Sequence, residues 1–291
     1  MSQQRPPSAT TQPRLRCDLN LGTLSDLPDW STGPRGDDRA VRTSLKAAGF
    51  DGIQGHDPQL CAELGLTCTA SGRVDSPDQA LPVALANRDA GFALTTLHVG
   101  TGFEDDATID RLCEAIVAAS AESDHQLLIE THRATITTDI YRTVRLAERH
   151  PDIRFNGDFS HWYTGHEMVY GDWEAKLAFI APMLERVDYF HGRIGNPSHM
   201  QVAITGEESY VDHFRELWTR AMAAWIDRAA PGAELGFAPE ILPPAIHYAR
   251  CFPDAAGQPR EESDRWQQAL LYCDIARACF AHAQSQVTKQ P

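Results

Sequence analysis

Glu130, Asp158, His191 and Glu240 each close a short, apolar, β-like run, and successive members are 28, 33 and 49 residues apart. Three carboxylates and one imidazole brought to a point make a site for a divalent cation. Each interval is close to one strand-plus-helix unit, the last with a longer loop, which is the rhythm of a closed (β/α)8 barrel. In such barrels the chemistry is done at the C-terminal ends of the strands.

The neighbours of these four residues sharpen the reading. Glu130 stands in LLIETHR, where polar residues appear only as the apolar run ends. Side chains alternate along a strand, so His132 shares its face. A carboxylate capping the next helix is the ordinary alternative. Asp158 leads into Phe159, Ser160, His161, Trp162 and Tyr163, which places an imidazole and two aromatic rings suited to a sugar's apolar faces at one strand exit. Asp158 then reads as a ligand and His161 as a substrate hydrogen-bond partner, against a helix N-cap and a surface histidine. His191 and Arg193 lie two apart on one face: a neutral imidazole ligates metal and a guanidinium holds an anionic or enolate oxygen. An ion pair between Asp188 and Arg193 is the plainer alternative. Glu240 follows Pro239, tolerated only where no ladder donor is needed, so the strand stops there, and Pro243 and Pro244 stiffen the loop beyond. A merely exposed strand-end Glu is the alternative there. His98 also ends a β-like run, either lining the mouth or sitting as a satisfied core histidine. Trp30 and His56 follow the first two strands without an assigned role.

These residues need eight strands to position them, and the pattern predicts strands over 15–21, 51–55, 66–74, 94–99, 125–131, 153–159, 187–194 and 233–240. Helix-like segments alternate with them, among them 107–121, 137–149, 208–228 and 262–283. The fold class is α/β, a single (β/α)8 TIM barrel over 15–291, after a polar leader over 1–14 that buries too little to offset its ordering entropy. An open doubly wound sheet lacks its G-x-G-x-x-G signature after the first strand. At 291 residues and 42% hydrophobic content the chain can form one large core. Its 40 acidic against 26 basic residues, a net charge of −14, disfavour nucleic acid and anionic membranes as partners. Seven scattered cysteines show no C-x2-C pairing and read as reduced thiols. With no membrane-length apolar run and no secretory signal, a cytoplasmic location is expected.

Together the strand-end Glu of LLIETHR, the D-x-x-H of Asp158 to His161, the H-x-R of His191 to Arg193 and the P-E of Pro239-Glu240 resemble the xylose isomerase-like TIM-barrel superfamily, in particular its sugar phosphate isomerase/epimerase branch. The likeness runs from Leu15 over nearly the whole chain. It implies that Glu130, Asp158, His191 and Glu240 bind one divalent metal, most often Mn2+, with Mg2+, Co2+, Zn2+ or Fe2+ as alternatives. It implies further that Glu130 and Glu240 are the catalytic proton-transfer groups, that His161 contacts substrate oxygens, and that Arg193 steadies developing negative charge. His98, His132 and Trp162 are expected on the substrate side.

The implied activity is isomerisation or epimerisation of a carbohydrate through a metal-stabilised cis-enediolate. Ketose 3-epimerases of this superfamily carry another Glu six positions after the first ligand, where this chain has Ile136. A lyase or dehydratase acting on a keto-sugar, keto-glycoside or keto-inositol is therefore the alternative. A repair endonuclease of the same superfamily would need more zinc-binding histidines and a basic groove, against the acidic balance. A non-catalytic sugar-binding barrel is a further class. No dedicated phosphate loop is evident, so the expected partner is an unphosphorylated small carbohydrate, and the likeness leaves room for a homo-oligomer.

Overall fold

The computed structural model describes residues 12–288, so the first eleven positions of the expected leader lie outside the described residues. Eight strands run in parallel and close on themselves. They are β1 (Arg14–Asn20), β2 (Gly52–Gln54), β3 (Thr67–Val74), β4 (Thr95–Val99), β5 (Leu127–Glu130), β6 (Phe155–Gly157), β7 (Val187–Gly192) and β8 (Glu234–Pro239). β8 pairs back onto β1, with Cys17 opposite Phe237. The expected strands are all present, with ends displaced by a residue or two; β1 starts at Arg14, one residue earlier than expected.

Helices α1 (Asp38–Ala47), α2 (Pro58–Glu63), α3 (Ala80–Ala90), α4 (Asp106–Ser123), α5 (Ile140–Arg149), α6 (Ser160–Gly165), α7 (Trp173–Leu184), α8 (Ser209–Arg228) and α9 (Arg265–Val287) occupy the connections and the C-terminal end. Six open on an aspartate, Asp37, Asp57, Asp105, Asp139, Asp172 and Asp264, whose side chain accepts a backbone N–H of the first turn. Each satisfies an otherwise orphaned donor and complements the helix dipole. After β8 the chain adds a hairpin that the sequence did not announce, β9 (Cys251–Pro253) with β10 (Pro259–Glu261). Both of its strands are short, carry a proline and are largely exposed, so no buried-face alternation marks them.

Strand parity explains the division of the core. One parity of each strand faces outward: Cys17, Leu19, Ile53, Leu97, Leu127, Ile129, Phe155, Phe190 and Phe237 join the helices in the main apolar cluster. The other parity faces inward, where Leu94, Leu128, Tyr189 and Ala238 form a small separate cluster. Beside it Asp18 is enclosed: Arg16 Nε and Nη2 donate to its carboxylate at 2.9 and 2.8 Å, and Tyr189 Oη donates at 2.9 Å. Two strand glycines make room for this packing. A Cβ at Gly52 would lie 2.4 Å from Asp18 Oδ1, and one at Gly236 would lie 2.2 Å from the Tyr189 ring.

Removing one partner of a buried ion pair strands the other. Asp18→Asn should therefore destabilise the barrel by about 3–5 kcal/mol, read from the shift in urea unfolding midpoint. An unchanged midpoint would show that Arg16 finds another partner at no cost.

Candidate functional site

The inward parity delivers polar groups to the C-terminal mouth of the barrel. One step beyond the interior layer, Leu128 is followed by Glu130, Tyr189 by His191, Ala238 by Glu240 and Asn156 by Asp158. Register keeps these ends level: Glu130 is the partner of Asn156 in the ladder, and Gly192 the partner of Pro239. Ligand atoms of Glu130, Asp158, His191 and Glu240 all lie within 4.8 Å of one another. Two ligand atoms on a small dication at about 2.1 Å each lie at most ~4.2 Å apart, so the cage needs to contract only slightly. Glu130, Asp158 and His191 are buried, and the Glu240 carboxylate is the most accessible of the four at 13%.

His191 turns its Nδ1 to this centre, and a chain of hydrogen bonds fixes that orientation. The backbone N–H of Gly22 can only donate, and it donates to Asn20 Oδ1 at 2.8 Å. The Asn20 amide nitrogen must then face Gln54 Oε1 at 2.7 Å and Glu240 Oε1 at 3.0 Å. Gln54 therefore turns its oxygen toward His191 Nε2, 2.7 Å away, so that nitrogen carries a proton. The other end of the Gln54 amide donates to Thr96 Oγ1 at 2.8 Å. His191 Nδ1 is left buried without a hydrogen-bond partner, 3.2 Å from Glu130 Oε2 and 3.4 Å from Glu240 Oε2. A buried, unpartnered imidazole nitrogen among carboxylates is what a cation ligand set requires.

The carboxylates are individually anchored. Asp158 Oδ1 accepts from the backbone N–H and hydroxyl of Ser160, tying down the start of α6, while Oδ2 faces the site. Phe159, not Asp158, is the N-cap residue of that helix. Asn156 Nδ2 donates to Glu130 Oε2 at 3.2 Å, and His98 Nε2 lies 3.3 Å from Glu130 Oε1. Arg193 donates from Nε to Asp158 Oδ2 at 3.1 Å, and its Nη2 bridges to both Asp158 Oδ2 and Glu240 Oε2. Asp188 pairs instead with Arg154 and Arg228, which removes the alternative partner for Arg193.

Charge follows from these contacts. Burial works against ionised His191, yet the charges of Glu240 and Glu130 push its pKa up to about 9. At neutral pH a proton therefore occupies Nδ1, and a metal taking that nitrogen would release it. Burial likewise opposes the Glu130 charge, but His191 and His98 hold its pKa well below the usual carboxylate range. His98, half exposed, is raised by Glu130 against its own desolvation. Burial and the neighbouring His161 drop His132 to about 3, and burial with Arg193 nearby keeps His161 neutral as well. The three rings form a wall, with centroids 4.2 Å apart for His98 and His132 and 4.0 Å for His132 and His161.

His98, Glu130 and His132 form a second group with metal-ligand spacing. The backbone N–H of Ala134 donates to His132 Nδ1 at 3.1 Å, which leaves the proton of the neutral ring on Nε2. His132 is thus a hydrogen-bond donor toward the mouth rather than a ligand.

The expectation for Trp162 is corrected. It is 1% exposed, packs on Phe159 and donates from Nε1 to Thr137 O at 2.8 Å, so no ring face is left for a substrate. β6 ends at Gly157 and α6 begins at Ser160, and helical geometry turns Trp162 into the core. Tyr163 is buried beside it. The aromatic ring at the site is Tyr248, which lies over the Arg193 guanidinium at 4.5 Å. Asn20, Gln54, Asn156 and Tyr248 escape a reading of the sequence alone. For Asn20 and Gln54 the available signal is a polar residue closing each of the first two strands.

Neither a protein-family profile nor a curated protein matches the sequence. Solved structures do match. A sugar phosphate isomerase/epimerase from Parabacteroides distasonis is 11% identical, with 95% of this chain and 97% of that chain covered at a TM-score of 0.55. An N-acetylneuraminate lyase from Fusobacterium nucleatum is 8% identical over 94% of this chain and 78% of its own, at a TM-score of 0.40. The chain spans only 59% of PhdJ bound to substrate intermediate, with 62% of itself covered, 11% identity and a TM-score of 0.37. The first likeness is one of fold: along almost its entire length this chain shares the (β/α)8 barrel architecture of that sugar phosphate isomerase/epimerase.

Proposed function

We propose that this protein is an enzyme, a divalent-metal-dependent isomerase or epimerase of a small carbohydrate. The observation that carries the reading is the convergence of three carboxylates and the unpartnered Nδ1 of His191 at one point in the barrel mouth. Glu130, Asp158, His191 and Glu240 would hold the ion, and a set of three hard oxygens and one imidazole nitrogen suits Mn2+, with Mg2+, Co2+, Zn2+ and Fe2+ as alternatives. When bound, the ion supplies Lewis acidity toward a carbonyl and an adjacent hydroxyl, acidifying the C–H between them.

The chain's own residues do the rest. One of Glu130 and Glu240 takes the proton from that carbon and the other returns one, to the opposite face for epimerisation or to the neighbouring carbon for isomerisation. The His132 Nε2–H is offered to substrate hydroxyls, while neutral His161, as buried as Trp162 and with Nε2 3.5 Å from Asp158 Oδ2, backs the His132 ring. Arg193 opposes negative charge as it develops on oxygen. Imine chemistry finds no amine here: Lys46 and Lys176, the lysines among the described residues, are held by backbone carbonyls of Leu64 and of Met168 and Tyr170. One observation favours elimination as a second reading. His98, its pKa raised beside Glu130 and its ring half exposed, is placed to protonate a departing oxygen.

A panel of aldoses, ketoses and keto-sugars assayed in D2O, with and without chelator, tests the proposal. Turnover that depends on added cation and an unchanged product mass apart from one solvent deuterium are expected, whereas loss of water or an aglycone would select elimination. Glu130→Gln should lower kcat by about 10²–10⁴-fold. Ligand binding without turnover, indifferent to this substitution, would make the barrel a sugar binder.

The tautomer chain adds a second expectation. Gln54→Leu removes the acceptor for His191 Nε2–H, and Mn2+ affinity measured by calorimetry should fall by about 10–100-fold with the fold retained by circular dichroism. Unaltered affinity would show that Nδ1 is presented without help from Gln54.

A further inference from the structure

Resting on the metal reading above, we propose that the Arg193 guanidinium is the resident cation of the carboxylate cluster, and that a divalent ion binds by displacing its Nη2 from Asp158 and Glu240. Arg193 sits where a cation belongs. Its Nη2 lies 3.0 Å from Asp158 Oδ2 and also donates to Glu240 Oε2, so one nitrogen joins two of the four carboxylate and imidazole ligands across β6 and β8. The other oxygens of these carboxylates are already committed, Asp158 Oδ1 to Ser160 and Glu240 Oε1 to Asn20. The oxygens that Arg193 covers are therefore the ones a metal would take. The guanidinium is fully buried, and its Nη1 has no hydrogen-bond partner, only the ring of Tyr248 above. An arginine held by both arms would resist displacement; this one keeps an unused arm that can meet a substrate oxygen once Nη2 lets go of Asp158 and Glu240.

Two consequences follow, and the second distinguishes exchange from simple repulsion between like charges. First, every dication must overcome the same competitor, so Arg193 lowers all affinities by one common factor and leaves weak binders such as Mg2+ below occupancy at concentrations where Mn2+ still loads. Second, guanidinium and metal exclude each other, so they compete rather than coexist.

The experiment measures Mn2+ and Mg2+ affinities calorimetrically for the full chain and for Arg193→Ala, then titrates methylguanidinium into the variant. Metal binding should tighten by about ten- to a hundredfold in Arg193→Ala, the range expected for a charge-assisted hydrogen bond, and by the same factor for both ions. The apparent Mn2+ dissociation constant of the variant should rise linearly with methylguanidinium, as for mutually exclusive ligands. A saturating rise, or tightening for one ion only, would overturn the exchange while leaving the metal site intact. If neither protein binds either ion, the metal reading falls and the exchange with it. Should Arg193→Ala fail to fold without metal, the native chain labelled with 15N-arginine decides between the same alternatives: adding diamagnetic Zn2+ must move the Arg193 Nε–H resonance, and a stationary signal alongside a shifted His191 ring overturns the proposal.

Discussion

Three carboxylates share one enclosed point in this molecule, and the rest of the mouth is arranged around the repulsion that creates. Like charges ~4 Å apart cost about 4 kcal/mol per pair at an effective dielectric constant near 20. A fold keeps such a group only if each charge is met. Here Arg193 spans Asp158 and Glu240, the imidazolium of His191 stands between Glu130 and Glu240, and amides from Asn20 and Asn156 finish the remaining lone pairs. The cluster stays charged because these partners stay close.

Holding those partners to within a few tenths of an ångström is the task of the barrel. Parallel pairing with level strand ends brings residues from β1, β2, β4, β5, β6, β7 and β8 to one end of the barrel, and the period of two on each strand puts outward groups among the helices and inward ones in the mouth. Beneath the plane, the Arg16–Asp18–Tyr189 network and two side-chain-free positions, Gly52 and Gly236, set the width of the interior. Tyr189 also meets the His191 ring edge-on with centroids 6.2 Å apart, so the packing below orients the imidazole above.

Much of this is legible in the sequence because the signal is contrast. A carboxylate or imidazole closing an apolar run stands out, as it does at Glu130, His191 and Glu240, and eight such runs spaced by helices specify closure. Asn20 and Gln54 close their strands too, but neutral amides are not ligand types, and their importance lies in which end of each amide points where. That is settled by a turn N–H at Gly22, a relation visible only in three dimensions. The expectation for Trp162 fails for a different reason. A residue four places after Asp158 faces the mouth if the chain stays extended and faces the core if a helix starts, and Asp158 itself, by anchoring Ser160, starts the helix. The hairpin β9–β10 leaves no trace because its stability comes from Arg250 pairing with Glu262 and from a tight turn at Gly257, rather than from burial.

The aspartates that cap six helices bear on what can approach. A helix that follows a barrel strand begins at that strand's C-terminal end, so Asp37, Asp57, Asp105 and Asp139, which open the helices after β1, β2, β4 and β5, stand at the same end of the barrel as the cluster. Each carboxylate offsets the positive end of the helix that it caps. The rim is thereby cleared of the bare positive helix ends that would otherwise gather anions.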